Sequence, residues 1–276
     1  MNKTNGLAIK PFLKWAGGKY RIVDKILNEL PHGIRFVEPF AGSAAVYLNA
    51  SFKTFLICDI NKDLIGLYST LQKEGNDFIQ YCKSFFVPEN NTKDKFYELR
   101  EQFNIAQDVQ TRAALLLYLN RHAFNGLVRY NSKGAFNVPF GQYKQPYFPL
   151  DELKAFKHKT KSTHTEFVVK DFREIFSELK QGDVVYCDPP YVPLSATASF
   201  TTYAGNVFNE SDQQILAQLA SQAWAQGIPV ILSNHDTTET RKLYSSATIR
   251  SFTVQRFISC NGNNRNAAPE ILAIYR

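Results

Sequence analysis

The chain has 276 residues, 44% hydrophobic and 21% charged, which fits one large domain or a catalytic core carrying a smaller inserted module. No apolar run approaches the ~20 residues of a membrane span, and residues 1–10 lack the apolar core of a secretion signal, so a cytoplasmic protein with no membrane partner is expected. The net charge is +7, and its placement is informative: residues 112–165 hold nine Lys/Arg against only Asp151 and Glu152, which accounts for the whole excess. Such a patch is either a polyanion contact or a solvated basic face.

In chain order, the first predicted helix covers residues 20–30 and stops at Pro31. Short runs rich in β-branched and aromatic residues predict strands at 34–37, 54–58, 166–169, 183–187 and 228–232. A second helix is expected over 210–225, capped by Asn209 and closed by Gly227. Residues 247–253 and 270–275 read as two last strands joined by a polar loop at 261–266. Alternating strands and helices imply a parallel sheet covered on both faces. The alternation breaks between 61 and 165. That interval is helical at first, with a nearly all-apolar buried helix at 113–120, and then rich in Gly and Pro. It reads as an insert, leaving residues 1–60 and 166–276 as the core. Cysteines at 58, 82, 187 and 260 form no CxxC pair and do not cluster with histidine, so neither a metal site nor a disulfide scaffold is expected.

Three segments carry chemistry. Asp188-Pro189-Pro190-Tyr191 follows a core strand, at the sheet end where open α/β folds bind ligands. A carboxylate, a proline carbonyl and an aromatic face suit a planar, amine-bearing ring; the alternative is a strand-end turn with a packed tyrosine. Glu38-Pro39-Phe40-Ala41-Gly42-Ser43 is a small-residue turn at another strand end, and Asp59 ends the next strand, where an acid can accept from ribose hydroxyls. In residues 12–19, FLKWAGGK, two glycines, an indole and two lysines suit a cover over a ligand, with Lys19 available to a carboxylate. Trp15 is alternatively a core residue. His235-Asp236 has the look of a catalytic dyad, but Asp236 to Glu239 fits a capping box better.

FLKWAGGK, EPFxG and DPPY in this order resemble the DNA adenine methylase family, as do residues 121–149 (RHAFNGLVRYNSKGAFNVPFGQYKQPYFP), 188–201, 232–237 (LSNHDT) and the Asn-Gly loop at Asn261. The resemblance implies a Rossmann-like class I methyltransferase fold: an α/β sheet, mostly parallel, with an antiparallel C-terminal hairpin and an inserted, mainly helical target-recognition domain at 61–165. It implies methyl transfer from S-adenosyl-L-methionine to N6 of adenine in double-stranded DNA, typically in GATC, by base flipping and without a metal. By the same resemblance Asp188, Pro189 and Tyr191 are catalytic, and Trp15, Lys19, Phe40, Gly42, Asp59, Asp171, Phe172 and Asp188 contact the cofactor. Lys14, Phe124, Asn125, Leu127, Arg129 and Pro139 contact DNA: Lys14 reaches the first guanine, Arg129 reads a guanine, and Phe124 intercalates beside the target. Phe136 and Phe140 are expected in the insert's own core. Two positions depart from the family pattern: Ala44 stands where a second glycine is common, and Phe124 where tyrosine is common. Methylation of RNA or a protein amide, a non-catalytic DNA-binding regulator, and a nicotinamide oxidoreductase are the competing readings. The last leaves DPPY and the basic insert unexplained. Oligomeric state and biological role stay open.

Overall fold

The computed structural model describes residues 8–191, 202–203, 206–255 and 267–276. A tight 3-10 turn over Lys19–Ile22 leads into α1 (Val23–Glu29), so the expected first helix begins more tightly wound than an α-helix. There follow β1 (Arg35–Glu38), α2 (Ala45–Asn49), β2 (Thr54–Asp59) and a helical run: α3 (Lys62–Glu74), α4 (Asn76–Ser84), α5 (Lys93–Ile105), α6 (Val109–His122) and α7 (Leu150–Ser162). The chain then returns to alternation with β3 (His164–Val169), α8 (Phe172–Ser177), β4 (Asp183–Cys187), the short pair β5 (Thr202–Tyr203) and β6 (Asn206–Val207), and α9 (Glu210–Ala225). It ends with β7 (Val230–His235), α10 (Thr238–Leu243), β8 (Thr248–Gln255) and β9 (Ala267–Tyr275).

The main sheet has seven strands in the order β3-β2-β1-β4-β7-β9-β8. The strands from β3 to β7 run parallel, and β9 is antiparallel to both β7 and β8. This is the mostly parallel sheet with an antiparallel C-terminal hairpin that the sequence predicts. The chain builds outward from β1 through β2 to β3, then returns to lay β4 on the other side of β1. The order therefore reverses between β1 and β4, and a crevice opens beyond their carboxyl ends.

Alternate residues of the central strands feed two cores. Phe36, Phe55, Ile57, Tyr186 and Ile231 face one side, while Val37, Leu56, Cys58, Val185, Cys187 and Leu232 face the other. Because β1 and β4 are buried on both faces, they read as continuous apolar runs; the edge strand β3 is partly exposed. Helices α3 to α7 lie over the first face through the same apolar cluster that holds Phe36 and Phe55. Helix α6 runs through that cluster and is buried on all sides from Ala113 to His122, as its apolar run predicts.

Several boundaries move. Ile34 is excluded from β1 and 73% exposed. The capping box near His235 falls at Thr237 with Thr240, not at Asp236 with Glu239. Asp236 is instead held by Arg241, through Nε at 2.5 Å and Nη2 at 2.8 Å. Asn209 caps α9 as expected. Cys260, the loop at 261–266 and the DPPY continuation at 192–201 lie outside the described residues. Cys58, Cys82 and Cys187 are buried free thiols. Among the described residues no helix is long and apolar enough to cross a membrane, and no group of His, Cys, Asp and Glu is placed to hold a metal.

Candidate active site and nucleic-acid face

The turn after β1 is shaped by two left-handed residues, Gly42 (φ 45°) and Ala44 (φ 59°). Glycine adopts that conformation freely, whereas alanine is strained there. Ala44 is fully buried and stands as the N-cap residue just before α2. Gly42 is fixed through both sides of its peptide unit: its N–H donates to Asp59 Oδ2 (3.0 Å), and its carbonyl accepts from the Tyr68 hydroxyl (2.5 Å). The other oxygen of Asp59 accepts the Asn61 N–H at 2.9 Å. Burial pushes the Asp59 carboxyl up, and these N–H donors pull it back. A Cβ at position 42 would come within 2.9 Å of Trp15 Nε1, so glycine is what lets the indole lie across the turn. Trp15 is half-buried and also packs on the core.

Directly across the switch point, Lys19 Nζ sits 2.8 Å from Asp188 Oδ1 and 4.6 Å from the centre of the Tyr191 ring. It also donates to the Gly17 carbonyl at 2.5 Å, and it is 5% exposed. Lys19 and Asp188 thus form a close, largely buried ion pair. Burial raises the Asp188 carboxyl from its ordinary range, and Lys19 opposes the shift. Tyr191 is clasped from behind: its hydroxyl donates to Glu270 Oε2 at 3.1 Å, and its ring meets His235 edge-on at 4.7 Å. His235 and Glu270 are cross-strand partners on β7 and β9. Gln213 Nε2 donates to the Pro190 carbonyl (2.7 Å), and Gln213 Oε1 is held by Asn234 Nδ2 (3.1 Å) and the Tyr244 hydroxyl (3.3 Å). Asn234 and His235 of the LSNHDT segment thus support the tetrapeptide rather than forming a dyad with Asp236.

Glu38 belongs to the predicted turn but had no assigned role. It is 2% exposed, and Oε2 accepts the Tyr47 N–H at 3.2 Å. Burial first, then the charge of Asp188, raise its carboxyl well above the usual range. At the outer end of the crevice, Phe40 and Phe172 lie 5.5 Å apart, and each is 5.7 Å from Phe208. Ile60, immediately after Asp59, keeps an apolar side chain 41% exposed. Phe208 and Ile60 have no motif to announce them; they are found only through the neighbours the fold gives them. Asp171 caps α8, accepting the Arg173 N–H at 2.9 Å, and pairs with the Arg173 guanidinium, so it fixes the helix that carries Phe172.

The second group gathers at the end of α6. Phe124, Asn125 and Gly126 form a short 3-10 turn with positive φ at Asn125 (53°) and Gly126 (66°). Phe124 is 50% exposed, and its N–H donates to the Pro139 carbonyl at 2.9 Å. Beyond the turn, exposure alternates as in strands. Val128, Tyr130, Phe136 and Val138 point inward, while Arg129 and Pro139 point out. Leu127 is half-buried against the core. Arg129 Nε donates to Asn137 Oδ1 at 2.8 Å, which holds the guanidinium along this outer face. Lys14 arrives from the N-terminal segment: its stem lies against Gly126 and its Nζ is 4.2 Å from the Tyr143 ring centre. Lys14, Phe124, Asn125 and Pro139 therefore meet, with Arg129 on the adjoining arm. Phe136 is buried and Phe140 packs on Phe96 at 5.3 Å, as an internal core requires.

Comparison with known proteins shows the family of the chain. Residues 15–258 match the family described as D12 class N6 adenine-specific DNA methyltransferase. The chain is 48% identical over 267 residues to a DNA adenine methylase of Vibrio cholerae serotype O1, covering 96% of each chain. It is 48% identical over 268 residues to that of Serratia marcescens, covering 97% of this chain and 98% of the other. The DNA adenine methylase of Escherichia coli K12 is 46% identical over 267 residues, covering 97% and 95%. With a family match over residues 15–258 and likeness along nearly its whole length, the chain belongs to the D12 class of N6 adenine-specific DNA methyltransferases.

Proposed function

We propose that this adenine-specific DNA methyltransferase uses S-adenosyl-L-methionine and acts on GATC in duplex DNA, on an adenine swung out of the helix. The observation that carries the reading is the Asp188 carboxylate, set at the switch point of the sheet beside the buried Lys19 ammonium and the Tyr191 ring. A carboxylate acceptor there suits the N–H of an exocyclic amine. The amine is a weak nucleophile because its lone pair is delocalised. Accepting its two hydrogens at Asp188 and the Pro189 carbonyl favours a tetrahedral nitrogen, while Tyr191 stacks on the ring. These are positioning and electrostatic contributions.

The crevice fits the donor in charge and shape. Asp59 and Asp188 offer it carboxyl oxygens, which suit a ligand bearing a sulfonium and an ammonium. Gly42 lets the turn run close under the Trp15 indole, Asp59 suits ribose hydroxyls, and Phe40 and Phe172, the latter on the helix headed by Asp171, suit a purine. When bound, S-adenosyl-L-methionine supplies an electrophilic methyl on sulfur. On the DNA side, residues 61–165 are the target-recognition part. The exposed Phe124 is a wedge for the opened stack, Arg129 reads a guanine edge, Lys14 reads the outer guanine, and Asn125, Leu127 and Pro139 line the contact. A base inside a duplex cannot reach a crevice at a sheet end, which is why flipping belongs to the reading.

The test is digestion of duplex DNA treated with enzyme and S-adenosyl-L-methionine. Resistance to a nuclease blocked by methylated GATC, with sensitivity to one that requires it, is the expected outcome. Methyl incorporation into adenines outside GATC, with GATC left cleavable, would refute the site assignment.

A further inference from the structure

We infer that Asn120 is a positioning residue that seats the Lys14 segment against the base-reading turn and so sets discrimination at the outer G·C pair. Asn120 lies in the last turn of α6 and is fully buried. Its Oδ1 accepts the Lys14 N–H at 2.9 Å; its Nδ2 donates to the Lys14 carbonyl at 2.7 Å and to the Gly126 carbonyl at 2.8 Å. A side-chain amide offers two N–H donors and a carbonyl, and all are engaged here. One buried group thus holds Lys14 on both sides of its peptide unit and ties it to the turn of Phe124 and Asn125.

The geometry around this clamp agrees. A Cβ on Gly126 would overlap the Lys14 stem, so the two backbones are in close contact and a small shift in one moves the other. Next along the helix, Arg121 donates to the Phe12 carbonyl, which fastens the same segment two residues earlier. The segment runs on to Trp15 and Lys19 in the crevice. Asn120 therefore links the segment that carries Lys19 to the turn that meets DNA, while touching neither DNA nor the methylated amine. Removing it leaves two carbonyls and an N–H without their buried partner, and the Lys14 side chain loses its fixed origin.

This inference rests on the reading of Lys14 as a base-reading residue, and the experiment separates the two. kcat/KM is measured on duplexes carrying the intact site and on duplexes with the outer G·C pair replaced, for wild type, Lys14→Ala, Asn120→Ala, Asn120→Ser and the Lys14→Ala/Asn120→Ala double variant. Asn120→Ala is expected to lower the preference for the intact site about tenfold, in the range of one base contact. Asn120→Ser is expected to do so less, and the double variant should discriminate no worse than Lys14→Ala alone. A purely structural role lowers the melting temperature and slows both substrates equally, leaving the ratio unchanged. Should Lys14→Ala keep full discrimination, the base-reading role of Lys14 fails and the inference with it. Should Lys14→Ala lose discrimination while both Asn120 variants keep it, or should the losses simply add, the inference alone is overturned. Loss of cooperative unfolding in both Asn120 variants overturns it too, by marking the residue as structural.

Discussion

Lys19 brings a positive charge into a crevice where Asp188 carries a carboxylate under burial, and the balance between the two is a property of single atoms. Burial favours the protonated acid, and the ammonium at 2.8 Å favours the anion. Only the anion can accept an amine N–H with both oxygens, so the acid side of the pH–rate profile should report this group. Replacing Lys19 by methionine keeps the stem and removes the charge. The folded pKa of Asp188 then rises further, and the acid limb of kcat/KM moves to higher pH. Turnover at neutral pH should fall about tenfold or more, as for loss of one preorganised electrostatic partner. An unmoved limb with merely weaker cofactor binding would assign Lys19 to the cofactor alone. The FLKWAGGK segment shows that a lysine is available to a carboxylate. It does not show which one, because the choice is made by the 3-10 turn at Lys19–Ile22, which aims the side chain across the sheet end.

At the scale of elements, the arm from Ala123 to Phe140 is held by bridges at Ala123–Phe140 and Tyr130–Phe136, so its two edges alternate in and out together. Arg129 is on the outer edge with its guanidinium held by Asn137. A preorganised fork suits bidentate donation to guanine O6 and N7, worth ~1–3 kcal/mol of discrimination. Arg129→Ala should therefore reduce preference for the intact site by roughly ten- to a hundredfold at one guanine, and Asn137→Ala should do so less, by freeing the fork. Equal weakening on every sequence, with a shallower salt dependence, would mark Arg129 as a phosphate contact. The arm was legible in part. Its Gly and Pro content announces turns, and the Asn-Gly after Phe124 announces an exposed aromatic. The pairing of Arg129 with Asn137, the meeting of Lys14 with Gly126 and the Asn120 clamp were not legible, because each joins residues from separate elements that only the packed fold brings together. The middle of helix α6, by contrast, could be read directly: residues 113–119 are buried on every side, and that stretch is almost wholly apolar.

For the whole molecule, the sheet was legible because its central strands are buried on both faces and so appear as unbroken apolar runs ending in acids or turns. Its cost was not: a sheet that converges acids on one switch point buries them together. Glu38 is the deepest of these, held by the Tyr47 N–H and raised well above its ordinary 4.5 by burial and by Asp188 and Asp59. A carboxyl whose folded pKa lies above its unfolded one binds its proton more tightly in the native state. Its contribution to stability is fully present below the unfolded value. It is then lost as pH rises from about 4.5 through the folded value, since the unfolded chain ionises first. Glu38→Gln keeps the shape and an acceptor for the Tyr47 N–H but cannot ionise. Urea unfolding of both proteins across pH 4.5 to 8, starting from the ordinary value of Glu38, should therefore show the variant gaining on the wild type as pH increases. The difference should level off once the native carboxyl has ionised. A gap that stays constant, or that narrows toward alkaline pH, would mean that the native Glu38 carboxyl ionises no later than a free one, and that the acidic crevice adds no strain to the fold.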